Sequence, residues 1–452
     1  MEHSEHKVID SSWNSIMTIT APMVLSMMSV NLMYVIDRIM LAGYSIDAMN
    51  ASVISGNFVA MFTFFFVGIA DSSEVFVGQY NGSAQYQKTA APVWQMIYMS
   101  LAAAVIFVPL ACFSGRLNML PDYYLKDGTE YQQTLMYLGM LPALRVALST
   151  FFIGRGKTKI ITVAVAAGAA TDIVLDYILI YGVGDIIPRM GCKGAALATI
   201  VAELVQVAIL ASAFFSAKNR RIYKTLENRR FQKELFRGCL RIGVPVALGN
   251  FASLLAWYLL QAAVCHVSKD VATVYNIGIN LYIFFIFVGE GINKACAAIC
   301  ANMIGRGDLV SIEKIRRAFA IIAAAFGCMI VFPLIFFPEW IFRLLDMLPD
   351  DITNLYGEMR LAFALMAVSV TLETMLLSTW GILMAGGDTK YAALIYHACL
   401  WGLVVAPSMA LYLTHNLNSV PLIYFLLTLW AGAVQFLLYR RYKSMKWYNK
   451  LV

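Results

Sequence analysis

Long apolar segments separated by short polar connections dominate this chain. A run of about 20 apolar residues is long enough to cross a bilayer as an α-helix, and twelve windows of the sequence reach this length. The windows are 15–43, 51–79, 91–113, 132–155, 158–182, 191–216, 238–265, 271–303, 314–338, 357–385, 390–413 and 418–441. The pattern predicts an all-α polytopic membrane protein with twelve transmembrane helices.

The composition agrees with a membrane protein. Of the 452 residues, 60% are hydrophobic and only 13% are charged, whereas about 25% of the residues in a typical soluble protein are charged. The polar start of the chain, residues 1–14, lacks the basic and apolar regions of a secretory signal, so we expect the first helix to remain as an anchor. The eight cysteines are scattered through apolar segments without metal-site spacing. We therefore expect no disulfide, no structural metal and no cofactor.

Basic residues are unevenly distributed between the connections, and this predicts the orientation of the chain. The connection 217–237 and the tail 442–452 are rich in lysine and arginine. Cytoplasmic loops carry an excess of these residues, so both segments are predicted to be cytoplasmic. An even number of spans then places both termini on the cytoplasmic side of the plasma membrane. No basic stripe on a soluble surface indicates a nucleic acid partner, and lipid is the expected surrounding.

The two halves of the chain resemble each other. A shift of 223 positions (245 minus 22) superposes several Pro, Asn and Gly residues without a gap. The superposed pairs are Pro22 and Pro245, Asn57 and Asn280, Gly68 and Gly291, and Gly82 and Gly305. Internal repeats are typical of transporters, where two lobes enclose a central cleft. We predict two pseudo-symmetric six-helix lobes, residues 1–216 and 238–441, joined by a cytoplasmic linker, 217–237.

Two acids in the fifth window are the strongest candidates for function. Asp172 and Asp176 are four residues apart, so they share one face of an otherwise apolar helix. A charged side chain at the bilayer centre costs about 2.5 to 3.5 kcal/mol, and such residues normally face a cavity or a bundle interior. Bringing a third acid, such as Asp37 of the first window, close to this pair would further disfavour full ionisation. This pattern favours a proton carrier, with purely structural hydrogen bonding as the alternative.

Further polar residues interrupt the apolar windows of the second half. Glu373 lies deep in the tenth window, as a functional carboxylate or a structural hydrogen-bond acceptor. Glu290 and Lys294 are four residues apart in the eighth window, which predicts an intrahelical ion pair facing the cleft. Lys294 also occupies the repeat position of Asp71, so the lobes carry opposite charges there.

Two prolines, Pro22 and Pro245, occupy matching places in the first helix of each half. Proline lacks an amide donor and bends a helix that contains it. We predict that these residues act as hinges, unless each simply begins a helical segment.

Several motifs, taken in chain order, carry a resemblance to a known family. They are MYVIDRIM at 33–40, GQYNG at 78–82, FFIGRGKTK at 151–159, DIVLDYILIYG at 172–182 and GCKGAALAT at 191–199. The combination resembles the MATE multidrug and toxin extrusion transporters, NorM- and DinF-like members of the MOP flippase superfamily. The likeness covers nearly the whole chain.

The resemblance implies an antiporter rather than an enzyme. Such a protein works as a monomer and exports small organic compounds, often cationic and aromatic, in exchange for H⁺ or Na⁺. The family's cation-coupling residues fall on Asp37, Asp172, Asp176 and Thr199. Asp172 stands where many relatives carry Asn, and Tyr34 is one place later than the Tyr of some relatives.

A second acidic site of the NorM-like branch falls in the other lobe. Glu373 matches its tenth-span acid, whereas Ser253 stands in place of its seventh-span Glu. The remaining candidate cleft residues are Asn57, Asp71, Glu290 and Lys294.

The alternative is a lipid-linked oligosaccharide flippase of the same superfamily, which is expected to have a cationic cleft. The buried charge of this chain is mainly acidic. No GxxxxGK[ST] motif is present in the sequence, so transport is expected to use an ion gradient.

Overall fold

A computed structural model describes residues 9–114, 122–184, 186–265, 267, 269–336, 356–415, 417, 419–448 and 451. These residues are almost entirely helical, apart from one isolated β-bridge between Val183 and Ile187. The first half contains α1 (Trp13–Tyr44), α2 (Ile46–Asp71 and Ser73–Gly82), α3 (Ala90–Ala102 and Ala104–Cys112), α4 (Asp122–Tyr137 and Leu141–Ile153), α5 (Lys159–Tyr181) and α6 (Gly191–Phe214). The second half contains α7 (Lys233–Cys265), α8 (Lys269–Arg306), α9 (Leu309–Phe336), α10 (Tyr356–Ala385), α11 (Thr389–Leu400, Trp401–Val405 and Ala406–Leu413) and α12 (Val420–Lys443).

The twelve helical segments follow the twelve predicted windows. Among the described residues, ten helices are long and apolar enough to cross a membrane, and the two parts of α4, bent by 42°, form an eleventh candidate. α9 overlaps the window 314–338, whose last residues lie outside the described part of the chain. The prediction of an all-α polytopic membrane protein is confirmed.

The connection between the halves is partly ordered against α3. It contains a short helix, Ala217–Tyr223, and a turn at Glu227–Arg229. The indole of Trp94 donates to the carbonyl of Thr225 at 2.6 Å, and the amide of Gln95 donates to the carbonyl of Arg230 at 3.2 Å. α7 begins at Lys233, five residues before the predicted window, because helices continue past their apolar stretch into the polar boundary.

Buried apolar side chains form two main clusters, one for each half. One cluster is built mainly from α2 to α6 and the other mainly from α7 to α12. The start of α1 crosses over, since Ile16 and Ile19 belong to the second cluster. In return, Ile242 and Ala247 of α7 belong to the first. The two halves therefore exchange the beginnings of their first helices.

Glycine contacts between the halves reproduce the sequence repeat. A Cβ atom on Gly68 would lie 3.2 Å from the Cα of Ala247, and one on Gly291 would lie 2.6 Å from the Cα of Val24. Val24 and Ala247, like Gly68 and Gly291, are 223 positions apart, so each contact is the pseudo-symmetric copy of the other. Side-chain-free positions permit this close helix approach.

Among the described residues, the interlobe glycine contacts lie towards the end of the molecule that carries the basic connection. The same relation holds for Gly82, which packs on the backbone of Asn302, and Gly305, which packs on the backbone of Gln79. Hydrogen bonds add to this closure: Asn302 donates to the carbonyl of Gly154 at 2.7 Å, and Gln79 donates to the carbonyl of Ala385 at 2.8 Å. The lobes are closed at this end.

Both candidate hinge prolines lie inside their helices. Pro22 is within α1 and Pro245 is within α7, so the alternative that each begins a helical segment is wrong. The carbonyl of Pro22 accepts from Ser26 at 2.7 Å and from Thr162 of α5 at 3.1 Å. The point at which α1 lacks a backbone hydrogen bond, at Pro22, is therefore attached directly to α5.

Candidate functional site

Three buried carboxylates meet in the amino-terminal half. Asp37 comes from α1, and Asp172 and Asp176 come from α5. One carboxylate oxygen of each lies within 4.8 Å of those of the other two. Asp37 is 8% exposed, and the two α5 residues are fully buried. The structure thus brings together the three acids that the sequence singled out.

The position of this cluster follows from the packing of α1 on α5. Thr162 holds α5 to the carbonyl of Pro22 near the start of α1, at 3.1 Å. Near its other end, the hydroxyl of Tyr181 donates to the carbonyl of Met40 at 2.6 Å, where Gly43 leaves room for the Tyr181 ring. The three acids lie between these two attachments, on the facing surfaces of both helices.

Most carboxylate oxygens of the cluster have no hydrogen bond of normal geometry. One oxygen of Asp37 and both oxygens of Asp172 and Asp176 have no hydrogen bond to any described residue. Buried polar groups are normally hydrogen-bonded, and an uncompensated buried charge is strongly unfavourable. The arrangement can hold protons on the carboxyl groups or supply oxygen ligands to one small cation.

Beside the acids lies a salt bridge whose acid, Glu203, the sequence reasoning did not identify, although Arg145 was expected to reach the membrane boundary or to pair with an acid. Glu203 of α6 forms a salt bridge with Arg145 of α4 at 2.8 Å. Thr199, one turn earlier on α6, interacts with Asp172, and its hydroxyl donates to the carbonyl of Ala195 at 3.1 Å. Thr199 and Glu203 are four residues apart and so share one face of α6. This spacing could have identified Glu203 from the sequence. Arg145 is paired with Glu203, and no basic side chain of the described residues forms an ion pair with any of the three acids.

Two other candidates of this lobe have different surroundings. Tyr34 interacts electrostatically with Glu203 and Arg145, although its side chain is 47% exposed. Asn57 is exposed on α2.

Glu373 of α10 is surrounded by aromatic side chains. It accepts hydrogen bonds from Tyr282 of α8 and from Tyr396 of α11, the second at 3.2 Å. Tyr396 itself packs edge-on against Trp380 and Trp430, with ring centroids 5.3 and 5.0 Å away. Both oxygens of Glu373 are thus engaged, in contrast to the three acids of the first lobe.

Ser253 does not join Glu373. Its hydroxyl lies 3.2 Å from the Nδ1 of His397 on α11. The imidazole reaches α7 because Gly249 has no side chain, and a Cβ atom there would overlap the Nε2 of His397. The place of the branch's seventh-span Glu is therefore taken by a Ser–His contact.

The predicted intrahelical pair of Glu290 and Lys294 is wrong. The ammonium of Lys294 forms its ion pair with Asp71 of α2, and a Glu74 oxygen lies 3.9 Å from the same nitrogen. Glu290 instead faces the amide of Asn293 at 3.5 Å. The close approach of α2 and α8 brings an acid on another helix nearer to Lys294 than its own neighbour one turn away.

Comparisons with known proteins agree with this architecture. The family model described as MatE matches residues 22–178 and 245–409, more than half of the chain. The two segments start 223 positions apart, as the repeat does. The chain is 23% identical over 322 residues to a probable multidrug resistance protein NorM of Thermotoga maritima, covering 70% of this chain and 68% of that protein.

Two further relatives extend the likeness over nearly the full length. The chain is 23% identical over 435 residues to the uncharacterized transporter YisQ of Bacillus subtilis, covering 92% of this chain and 90% of that protein. A solved MOP superfamily transporter from Pyrococcus furiosus has a TM-score of 0.83 and 18% identity, covering 95% of this chain and 96% of that one. This last likeness shows the shared fold.

Proposed function

Since this chain belongs to the MatE family of membrane transporters, we propose that it is an antiporter that exports small organic compounds in exchange for cations. The observation that carries the proposal is the cluster of Asp37, Asp172 and Asp176. Three carboxylates within 4.8 Å of one another, most of whose buried oxygens have no hydrogen-bond partner among the described residues, favour the binding of positive charge. A transported cation supplies it.

Protons are the proposed coupling ion. Three adjacent carboxyl groups cannot all be ionised cheaply in an apolar surrounding, and protonation removes the repulsion one charge at a time. The neighbouring cation, Arg145, is already paired with Glu203. A sodium ion needs a fixed set of oxygen ligands, which Asp37, Asp176 and Thr199 would have to supply.

Transport is proposed to proceed by alternating access. If the basic connection is cytoplasmic, the closed end of the structure is the cytoplasmic end, and the acidic cluster is reached from outside. Protons and organic substrate then stabilise opposite-facing states, each through its different affinity for the two states. The two ligands exchange because they favour different arrangements of the same lobes.

Ethidium transport in proteoliposomes tests this proposal. A proton antiporter moves ethidium towards the more acidic compartment when a pH gradient is imposed in the absence of sodium. We expect Asp176→Asn to abolish this movement and Asp47→Asn, which changes an exposed acid in the first turn of α2, to leave it intact.

The other outcomes are equally informative. If ethidium moves only when a sodium gradient is imposed, the acidic cluster would be a sodium site and not a proton carrier. Wild-type protein that moves no ethidium or other organic cation under either gradient would contradict antiport, and would shift attention to the flippase alternative.

A further inference from the structure

The ion pair between Asp71 and Lys294 joins repeat-equivalent positions. The two residues are 223 positions apart, so each occupies in its own lobe the place that the other occupies in the partner lobe. They lie between the interlobe contacts of Gly68 with Ala247 and of Gly78 with Ala301. The pair therefore lies close to the pseudo-twofold axis, at the closed end of the molecule.

More negative than positive charge surrounds Lys294. Glu74 is 3% exposed, and its Oε1 atom has no hydrogen-bond partner among the described residues. Its second oxygen lies 3.9 Å from the Lys294 ammonium, which is already paired with Asp71. Glu290 interacts electrostatically with Lys294 from one turn away. The single ammonium of Lys294 is therefore shared by three carboxyl side chains.

Separation of the lobes at this end would divide the pair. Asp71 and Glu74 move with α2, whereas Lys294 moves with α8. The carboxylates would then face the open cleft together and without their cation, beside walls formed by Val24, Ala247 and the interlobe glycines. Paired acids in a partly apolar site favour a cation that tolerates loss of water, such as an organic ammonium or phosphonium.

We propose that Asp71 and Glu74 form a binding site for the exported organic cation in the state open at the basic end, and that Lys294 is a tethered cation that displaces it. This inference rests on the proposed export function. When the lobes close, the ammonium of Lys294 returns to the carboxylates, and two cations cannot occupy them together. Closure therefore releases the substrate from the acids, and bound substrate prevents closure.

Two measurements on Lys294→Gln test the proposal without any ion gradient. The first is the distance between spin labels placed at Lys88 and Arg306, exposed positions of the two halves near the closed end, in a background without the native cysteines. The second is the equilibrium binding of tetraphenylphosphonium to purified protein. We expect the label distance to shift towards a longer, open population.

The same substitution is expected to tighten tetraphenylphosphonium binding. A competitor that keeps the competent state at about a tenth of the molecules weakens apparent affinity about tenfold, so its removal restores about that factor. Adding Asp71→Asn and Glu74→Gln should abolish the gain. Arg316→Gln serves as the matched control, because it removes a cation paired with Glu313 on the same helix and should change neither measurement.

Three results would overturn the inference. They are an unchanged label distance in Lys294→Gln, an unchanged tetraphenylphosphonium affinity, and a gain in affinity that persists after both acids are neutralised. If Lys294→Gln does not fold, the exchange variant Asp71→Lys with Lys294→Asp restores the pair in reverse and should recover the closed distance. Failure of ion-coupled transport would leave these outcomes unchanged, so the two proposals fail separately.

Discussion

At the scale of single residues, two glycines set how closely the lobes meet. A Cβ atom on Gly82 would overlap the backbone of Asn302, and one on Gly305 would overlap the backbone of Gln79. A backbone obstacle cannot rotate away as a flexible side chain can. An atom added at either glycine must therefore push α2 and α8 apart, which would separate the lobes at the closed end.

We expect Gly82→Ala to destabilise the closed state. Overpacking of a tight contact costs about 1–3 kcal/mol, which should lower the melting temperature of the purified protein and lengthen the interlobe label distance. Gly402→Ala is the control, since nothing lies within 4 Å of its added Cβ and alanine is the better helix former. Equal melting temperatures for Gly82→Ala and the wild type would contradict the importance of this contact.

Residues differ in how far the sequence could predict their role. The cost of burying acids in an apolar helix is enough to single out Asp172 and Asp176, and the family resemblance adds Asp37. The partner of Lys294 could not be predicted, because a pair on one helix and a pair across two helices differ only in tertiary packing. The repeat of 223 positions identified Lys294 and Asp71 as equivalent residues of the two halves. The sequence does not show which equivalent residues lie near the pseudo-twofold axis and can therefore contact each other.

At the scale of helices, α1 connects the two lobes and the acidic cluster. Its first turns pack in the core of the second half, Pro22 interrupts its hydrogen-bonding ladder, and Asp37 follows four turns later. A bend at Pro22 would therefore move Asp37 relative to α5. The apolar windows predicted the existence and order of α1 to α12. The different roles of the start, the middle and the end of α1 depend on tertiary contacts, which the apolar pattern does not show.

We expect Pro22→Ala to reduce transport more than expression. The substitution restores an amide donor and stiffens α1, so the folded protein should accumulate while ethidium movement slows. Pro421→Ala is a suitable control, because Pro421 lies at the start of α12, where no ladder bond is lost. Equal losses of transport and expression in Pro22→Ala would argue against a hinge.

At the scale of the whole molecule, the closed end and the charged end coincide. The basic connection packs on α3, where the side chains of Trp94 and Gln95 donate hydrogen bonds to its backbone carbonyls. These contacts lie at the same end as those of Gly82 and Gly305. The division into lobes with boundaries near residues 216 and 238 stays a prediction. The closed end would be cytoplasmic only if the charge asymmetry sets the orientation.

Cysteine labelling tests that orientation. Arg230 is exposed in the basic connection, and Ile186, 88% exposed, lies in the connection after α5 at the opposite end. In cells without other reactive cysteines in the chain, a membrane-impermeant maleimide should label Ile186→Cys but not Arg230→Cys. Lysis should expose both. Labelling of Arg230→Cys in intact cells would invert the proposed topology.

The charge pair on the pseudo-twofold axis also bears on the origin of the chain. A position on such an axis faces its own copy in a dimer of identical halves, where an acid would meet an acid and a lysine would meet a lysine. Asp71 and Lys294 attract each other only because the two halves of the chain have diverged at this point. A dimer of either half alone would place like charges together there, so the fused halves are no longer interchangeable.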